Sequence, residues 1–208
     1  MRKIRGSFKL AKRCLVLLSL TALASVIATP AFAGVVDCGT LAGNLVTNCG
    51  FETGDLTGWG LFGDTSYSGV NYNPLVHSGV YAMDFGSVSG VGYLIQDIPT
   101  VVGNAYHLEF WLANDGGTPT SFAVSWNFVT LFSESNASGY GYTDFDFPGL
   151  APSSDAFTRL QFSVKQVPAW YHLDDVQVTA PEPGTLLAML IGGLGIGLAN
   201  RWKRRKAC

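Results

Sequence analysis

The stretch Tyr106-His107-Leu108-Glu109-Phe110-Trp111-Leu112 decides the architecture. Tyr106, Leu108, Phe110 and Leu112 alternate with His107, Glu109 and Trp111, and a period of two marks a strand with one buried face. The pattern recurs in Phe122, Val124, Trp126 and Phe128, which alternate with Ala123, Ser125 and Asn127. Leu160, Phe162 and Val164 alternate in the same way with Arg159, Gln161, Ser163 and Lys165. Turn-forming clusters separate these runs, among them Val102-Gly103-Asn104, Asn114-Asp115-Gly116-Gly117 and Asn136-Ala137-Ser138-Gly139. Between residues 34 and 180 there is no useful helical periodicity and no internal repeat. The expected class is therefore all-β, an antiparallel sandwich, with Trp59, Phe110, Phe122, Phe128 and Phe162 expected in its core.

Both flanks of this region differ from it. Arg2, Lys3, Arg5, Lys9, Lys12 and Arg13 precede an apolar run from Cys14 to Ala28, and Ala31-Phe32-Ala33 supplies small residues at the positions a signal peptidase requires. Residues 1–33 thus read as a signal-peptide helix, cleaved after Ala33. At the other end Gly184 to Asn200 is uncharged and rich in Leu, Ile, Ala and Gly. As a helix it would be roughly 26 Å long, close to the hydrocarbon thickness once flanking Arg201 and Lys203 snorkel. The basic residues from Arg201 to Lys206 put residues 201–208 in the cytoplasm.

Removing the flanks changes the charge. Residues 34–180 hold 14 acidic and 2 basic side chains, a formal charge of −12, where the whole chain carries −2. Such a domain excludes nucleic acid as a partner, because phosphate binding needs Lys and Arg. It suits divalent cations or neutral ligands such as glycans. Cys38 and Cys49 are the cysteines left in this exported part, and a structural disulfide is expected between them. A metal site there would need further ligands at metal spacing.

Pro181-Glu182-Pro183 just ahead of the apolar run and basic end resembles the PEP-CTERM sorting signal of Gram-negative bacteria. The resemblance implies recognition by an exosortase, a membrane protease that cuts near the motif. It implies an inner-membrane intermediate, followed by release to the cell surface or exopolysaccharide matrix of a biofilm. The expected organisation is a signal peptide over 1–33, a sandwich domain over 34–180 and a sorting signal over 181–208.

Within the domain, Asn44-Leu45-Val46-Thr47-Asn48-Cys49-Gly50-Phe51-Glu52-Thr53-Gly54 runs on to Trp59, and Leu173-Asp174-Asp175-Val176 closes it. With Val76-His77-Ser78-Gly79 and Ile95-Gln96-Asp97-Ile98 between them, these words are similar to jelly-roll modules of the galactose-binding-like and carbohydrate-binding families. The resemblance implies a jelly-roll fold and a structural calcium held by Glu52, Asp174 and a carbonyl near Gly50. Cys49 stands where the family usually has Gly.

Glycan recognition uses exposed aromatic platforms with amides and carboxylates. Tyr67, Tyr72, Tyr140 and Tyr142 lie in polar or Gly-rich stretches and are the platform candidates, with Asn71, Asn73 and Asn127 as partners. The orientation of Trp111 and Trp126 depends on which face looks inward. No nucleophile or metalloprotease motif is present. Asp144 and Asp146 are a carboxylate pair without an evident cleft. The expected function is non-catalytic polysaccharide binding. A structural or adhesive matrix protein and a polysaccharide hydrolase are the alternatives.

Overall fold

The computed structural model describes residues 38–72, 75–167 and 169–180. The expected signal helix with Ala31 and Ala33, Pro181-Glu182-Pro183, the span over 184–200, the basic tail and Asn73 lie outside the described residues. Among the described residues no helix is long and apolar enough to cross a membrane.

Ten strands follow a short 3₁₀ turn at Cys38–Thr40: β1 (Gly60–Gly63), β2 (Gly69–Tyr72), β3 (Tyr81–Phe85), β4 (Gly92–Pro99), β5 (Tyr106–Asn114), β6 (Thr120–Trp126), β7 (Val129–Ser135), β8 (Tyr140–Leu150), β9 (Phe157–Gln166) and β10 (Tyr171–Thr179). They form two antiparallel five-stranded sheets, one in the order β1-β4-β9-β6-β7 and the other β2-β3-β10-β5-β8. The chain crosses between sheets repeatedly, as in a jelly roll. Each central strand buries alternate residues, so the period-two reading of the sequence translates directly into two inner faces.

The core centres on aromatic contacts between the sheets. Phe162 of β9 meets Phe110 of β5 edge-on at 5.2 Å, with Phe122 at 6.0 Å and Trp59 at 6.2 Å. Trp126 also points inward, and its Nε1–H donates to the Ala151 carbonyl at 2.6 Å. Phe128 does not belong to this core; it is 76% exposed. Trp126 pairs directly with Val129, so Asn127 and Phe128 form a two-residue hairpin turn, with φ of 50° and 64°. That turn type needs left-handed backbone at both positions. The alternation ended one turn earlier than the hydrophobicity of Phe128 implied.

The opening segment is not a strand but a clamp. Cys38 and Cys49 are disulfide-bonded, and Phe51 packs on Trp59 at 5.7 Å. The Leu45 N–H donates to the Val178 carbonyl, the Val176 N–H to the Cys49 carbonyl and the Val178 N–H to Asn44 Oδ1. The first and last segments of the domain are thereby fastened together. The energetic centre is testable: Phe162→Ala should lower unfolding free energy by about 3–5 kcal/mol. Urea unfolding should show the midpoint falling at unchanged slope.

Candidate functional site

Alternation also determines what the outer faces carry. On the sheet containing β5, the side chains pointing away from the core are His107, Glu109 and Trp111 of β5, His172 and Gln177 of β10, Asp84 of β3, and Asp144 and Asp146 of β8. Register brings them into rows: Trp111 lies between Asp174 and Asp144, and Glu109 between Gln177 and Asp146. His107 Nε2 lies 2.6 Å from Asp146 Oδ1. Burial, then the charges of Asp144 and Asp146, raise the Glu109 carboxyl above its usual range, against a smaller opposing effect of His107. The opposite outer face carries Ser121, Ala123, Ser125, Gln161, Ser163 and Lys165, with Ile95, the Asp97–Arg159 pair, Tyr93 and Phe62 toward the β4 and β1 side.

The β2–β3 connection folds over the acidic face. His77 stacks on Trp111 with ring centroids 3.8 Å apart and planes 10° from parallel. Tyr142 lies 5.6 Å from His77, and its hydroxyl donates to the Leu75 carbonyl. Beneath this connection β10 bulges, with a register shift after Asp174 and φ of 47° at Asp175. The bulge leaves two consecutive carboxylates buried. Asp174 Oδ2 accepts the backbone N–H groups of His77 and Ser78, and Oδ1 accepts the Asp175 N–H. Asp175 Oδ1 accepts the Ser78 hydroxyl and the Cys38 N–H, while Oδ2 lies 2.6 Å from His77 Nδ1. Burial, with Asp175 beside it, pushes the Asp174 carboxyl up to about 7.

Glu52 holds the same connection from its other end, where Oε1 accepts the N–H groups of Val80 and Tyr81. A Cβ on Gly50 would lie 3.4 Å from Asp175 Oδ1 and 3.6 Å from Asp174 Oδ1, so the chain passes close over the pair. A cavity of about 310 Å³ beside it is lined by Asn44, Asn48, Gly50 and Glu52 among others. Asp174 and Glu52 thus grip the same connection at 77–78 and 80–81, and Gly50 passes close to Asp174 and Asp175. Among the described residues no three His, Cys, Asp or Glu side chains form a metal cluster by themselves. Two adjacent buried carboxyl groups and hard oxygen donors nevertheless match the chemistry of a divalent cation supplemented by carbonyls.

A second group sits on the same face near the β9–β10 connection. His172 is buried, with Nδ1 2.6 Å from Asp84 Oδ1 and Nε2 3.3 Å from Asp115 Oδ2. Asn71 Nδ2 donates to Asp84 Oδ2. Burial by itself disfavours the imidazolium, but Asp84 first and Asp115 second outweigh it and hold His172 above its ordinary value. Trp170, 42% exposed, donates its Nε1–H to the Tyr67 carbonyl, and Tyr67 is 72% exposed. Gly86 permits this approach, since a Cβ there would lie 2.7 Å from Trp170 Nε1.

The four platform candidates from the sequence and their partner Asn127 do not converge. Tyr67 lies in the β1–β2 connection beside Trp170. Tyr72 ends β2, exposed and edge-on to Tyr81. Tyr140 is half-buried with its hydroxyl donated to Glu134, Tyr142 belongs to the His77 group, and Asn127 occupies the β6–β7 turn. Sequence reading left Trp111 open and missed His77, His172 and Trp170 as members of these groups. The outward phase of Trp111 in its alternating run was the available signal.

No protein-family model and no curated protein matches the chain. Among solved structures, the carbohydrate-binding module TmCBM61, in complex with beta-1,4-galactotriose, aligns with a TM-score of 0.53 at 20% identity, covering 66% of this chain and 98% of that one. The enzymatically active domain of bacteriophage CBA120 tailspike protein 4 aligns at 0.52 and 14% identity, covering 66% of this chain but 21% of the tailspike. The CBM22-1 xylan-binding domain of Paenibacillus barcinonensis Xyn10C gives 0.47 at 13% identity, covering 67% and 96%. At these identities the likeness is one of fold.

His172 gives the site a pH signature. A histidine whose folded pKa is raised above 6.5 stabilises fully below that value, and the contribution is lost as pH rises through the folded pKa. His172→Gln should therefore be most destabilising at about pH 5.5, with the gap to the unmodified protein shrinking by about pH 8.5. Thermal melts across that range check it.

Proposed function

We propose that the sandwich is a non-catalytic polysaccharide-binding module carried by an exported surface or matrix protein. One observation carries the reading: most outward carboxylates gather with Trp111 and Tyr142 on one outer face, while the opposite face is mainly Ser, Ala and Gln, with Tyr93 and Phe62 at its rim and a single carboxylate, Asp97, paired to Arg159. Sugar rings stack on aromatic faces, and their hydroxyls pair with carboxylates and imidazoles in a fixed geometry. The His77–Trp111 stack, Tyr142, Glu109, Asp144 and Asp146 form one contact row, and Trp170 and Tyr67 the other, with the buried Asp84–His172 pair behind it. That TmCBM61, which holds beta-1,4-galactotriose, shares the fold supports a use of this scaffold for oligosaccharides. Asp144 and Asp146 are exposed on an open sheet, an environment poor at making one carboxyl a general acid.

Calcium is the proposed structural ion. Glu52, Asp174 and the Gly50 carbonyl would hold it, and its charge would offset the buried acid pair. The signal peptide, exosortase recognition at Pro181-Glu182-Pro183 and release to the exopolysaccharide matrix of a Gram-negative cell complete the proposal. Their support is the order of motifs along the chain.

A glycan array run with calcium and with chelator tests the binding reading. Binding to one polysaccharide class is expected, weakened about tenfold by Trp111→Ala or Trp170→Ala. Absence of any glycan binding, or turnover that disappears in Asp144→Asn, would refute it. Chelator should lower the melting temperature of the unmodified domain and leave Asp174→Asn unaffected. Mass spectrometry of the released form should find Gly34 at its start and a terminus near Pro-Glu-Pro.

A further inference from the structure

The two ends of the sandwich differ in character. At one end lie the β4–β5, β6–β7 and β8–β9 connections, residues 100–105, 127–128 and 151–156. Register assembles them: Phe157 pairs with Pro99, Trp126 with both Leu160 and Val129, and Leu150 with Tyr106. The Val101 N–H donates to the Tyr106 hydroxyl at 2.7 Å. Here Val101, Val102, Phe128, Val129 and Phe157 each keep more than half of their surface in water. Residues 34–180 have 14 acidic side chains, yet these three connections contain a single charged residue, Asp155. Arg159, against the Phe128 ring, is neutralised by a two-pronged pair with Asp97.

The chain leaves the domain at this same end. Thr179 of β10 pairs with His107, one residue from the start of β5, and Ala180 follows it. From Ala180 to Gly184, where the apolar run begins, there are four peptide steps, a reach of at most about 14 Å. A domain on so short a tether presents its exit end to whatever holds the run.

We propose that this end is a docking surface for a zwitterionic lipid bilayer, with Val101, Val102, Phe128 and Phe157 seated among the headgroups while the chain is anchored. The inference rests on the reading of residues 184–200 as a membrane span. Interfacial burial of Phe and Val is favourable in proportion to the apolar area withdrawn from water. The acidic face beyond Glu109 and Asp146 disfavours anionic lipid, which selects neutral headgroups. Docking holds Pro181-Glu182-Pro183 at the bilayer surface, within reach of a membrane-embedded protease. Cutting there removes the tether, and the few apolar side chains that remain release the domain.

The test uses the chain without its signal peptide, residues 34–208, in phosphatidylcholine liposomes, with Cys208→Ser so that single nitroxide labels can be attached beside the Cys38–Cys49 disulfide. Labels at Val102→Cys and Phe128→Cys probe the docking end, Ser138→Cys the opposite end and Leu190→Cys the apolar run. Oxygen accessibility relative to a water-soluble nickel chelate should be several-fold higher at 102 and 128 than at 138, and highest at 190. If 190 reads deep while 102 and 128 match 138, docking is wrong and the anchor stands. If 190 reads aqueous, the anchor reading falls and the docking proposal falls with it.

Discussion

Two adjacent buried carboxylates, Asp174 and Asp175, organise the rest of the molecule. A bulge in β10 leaves both buried beneath the β2–β3 connection, where an isolated carboxylate would be costly. Their oxygens are satisfied by groups from two distant segments: the backbone N–H groups, hydroxyl and imidazole at 77–78, and the Cys38 N–H of the opening clamp. These partners lie between 96 and 137 residues away in sequence. The pair therefore converts an electrostatic liability into long-range order, in which the first segment, the β2–β3 connection and the last strand must arrive together.

That order has a consequence for the outer face. Because the 77–78 backbone is held down on Asp174, His77 lies flat on Trp111 and Tyr142 closes beside it. The aromatic group is thus positioned by the acid pair rather than by apolar packing. Glu52 grips the same connection at Val80 and Tyr81, while the disulfide and the Val178 N–H bond to Asn44 fix the opening segment that carries Glu52 against β10. A binding face built on fixed backbone loses less conformational entropy on contact with a ligand.

The sequence made the fold legible where alternation was long. Residues 106–112, 122–126 and 160–164 read correctly as half-buried strands, because a period of two admits one inner face. Phe128 misled because hydrophobicity does not report a left-handed turn. The opening and closing words were legible as partners, and Cys38 and Cys49 as a bridge. The binding candidates were less so. Loop tyrosines were chosen by local polarity, whereas Trp111, His77 and His172 become neighbours of acids only through strand register and a folded-over connection, neither of which is encoded locally. Asp175, one residue from a named candidate, was missed because its place beside Asp174 under the 77–78 backbone depends on the bulge.

The central claim is that one outer face, and not the other, receives sugar. The most direct measurement is two-dimensional amide and indole NMR of the domain over residues 34–180 during titration with a β-1,4-linked galacto-oligosaccharide. Shifts should be confined to the indoles of Trp111 and Trp170 and to amides of β5, β8 and β10 on that face, with the buried Trp59 and Trp126 indoles unmoved. Shifts confined to Tyr93, Gln161 and Ser163 on the serine-rich sheet, or none at saturating sugar, would contradict it.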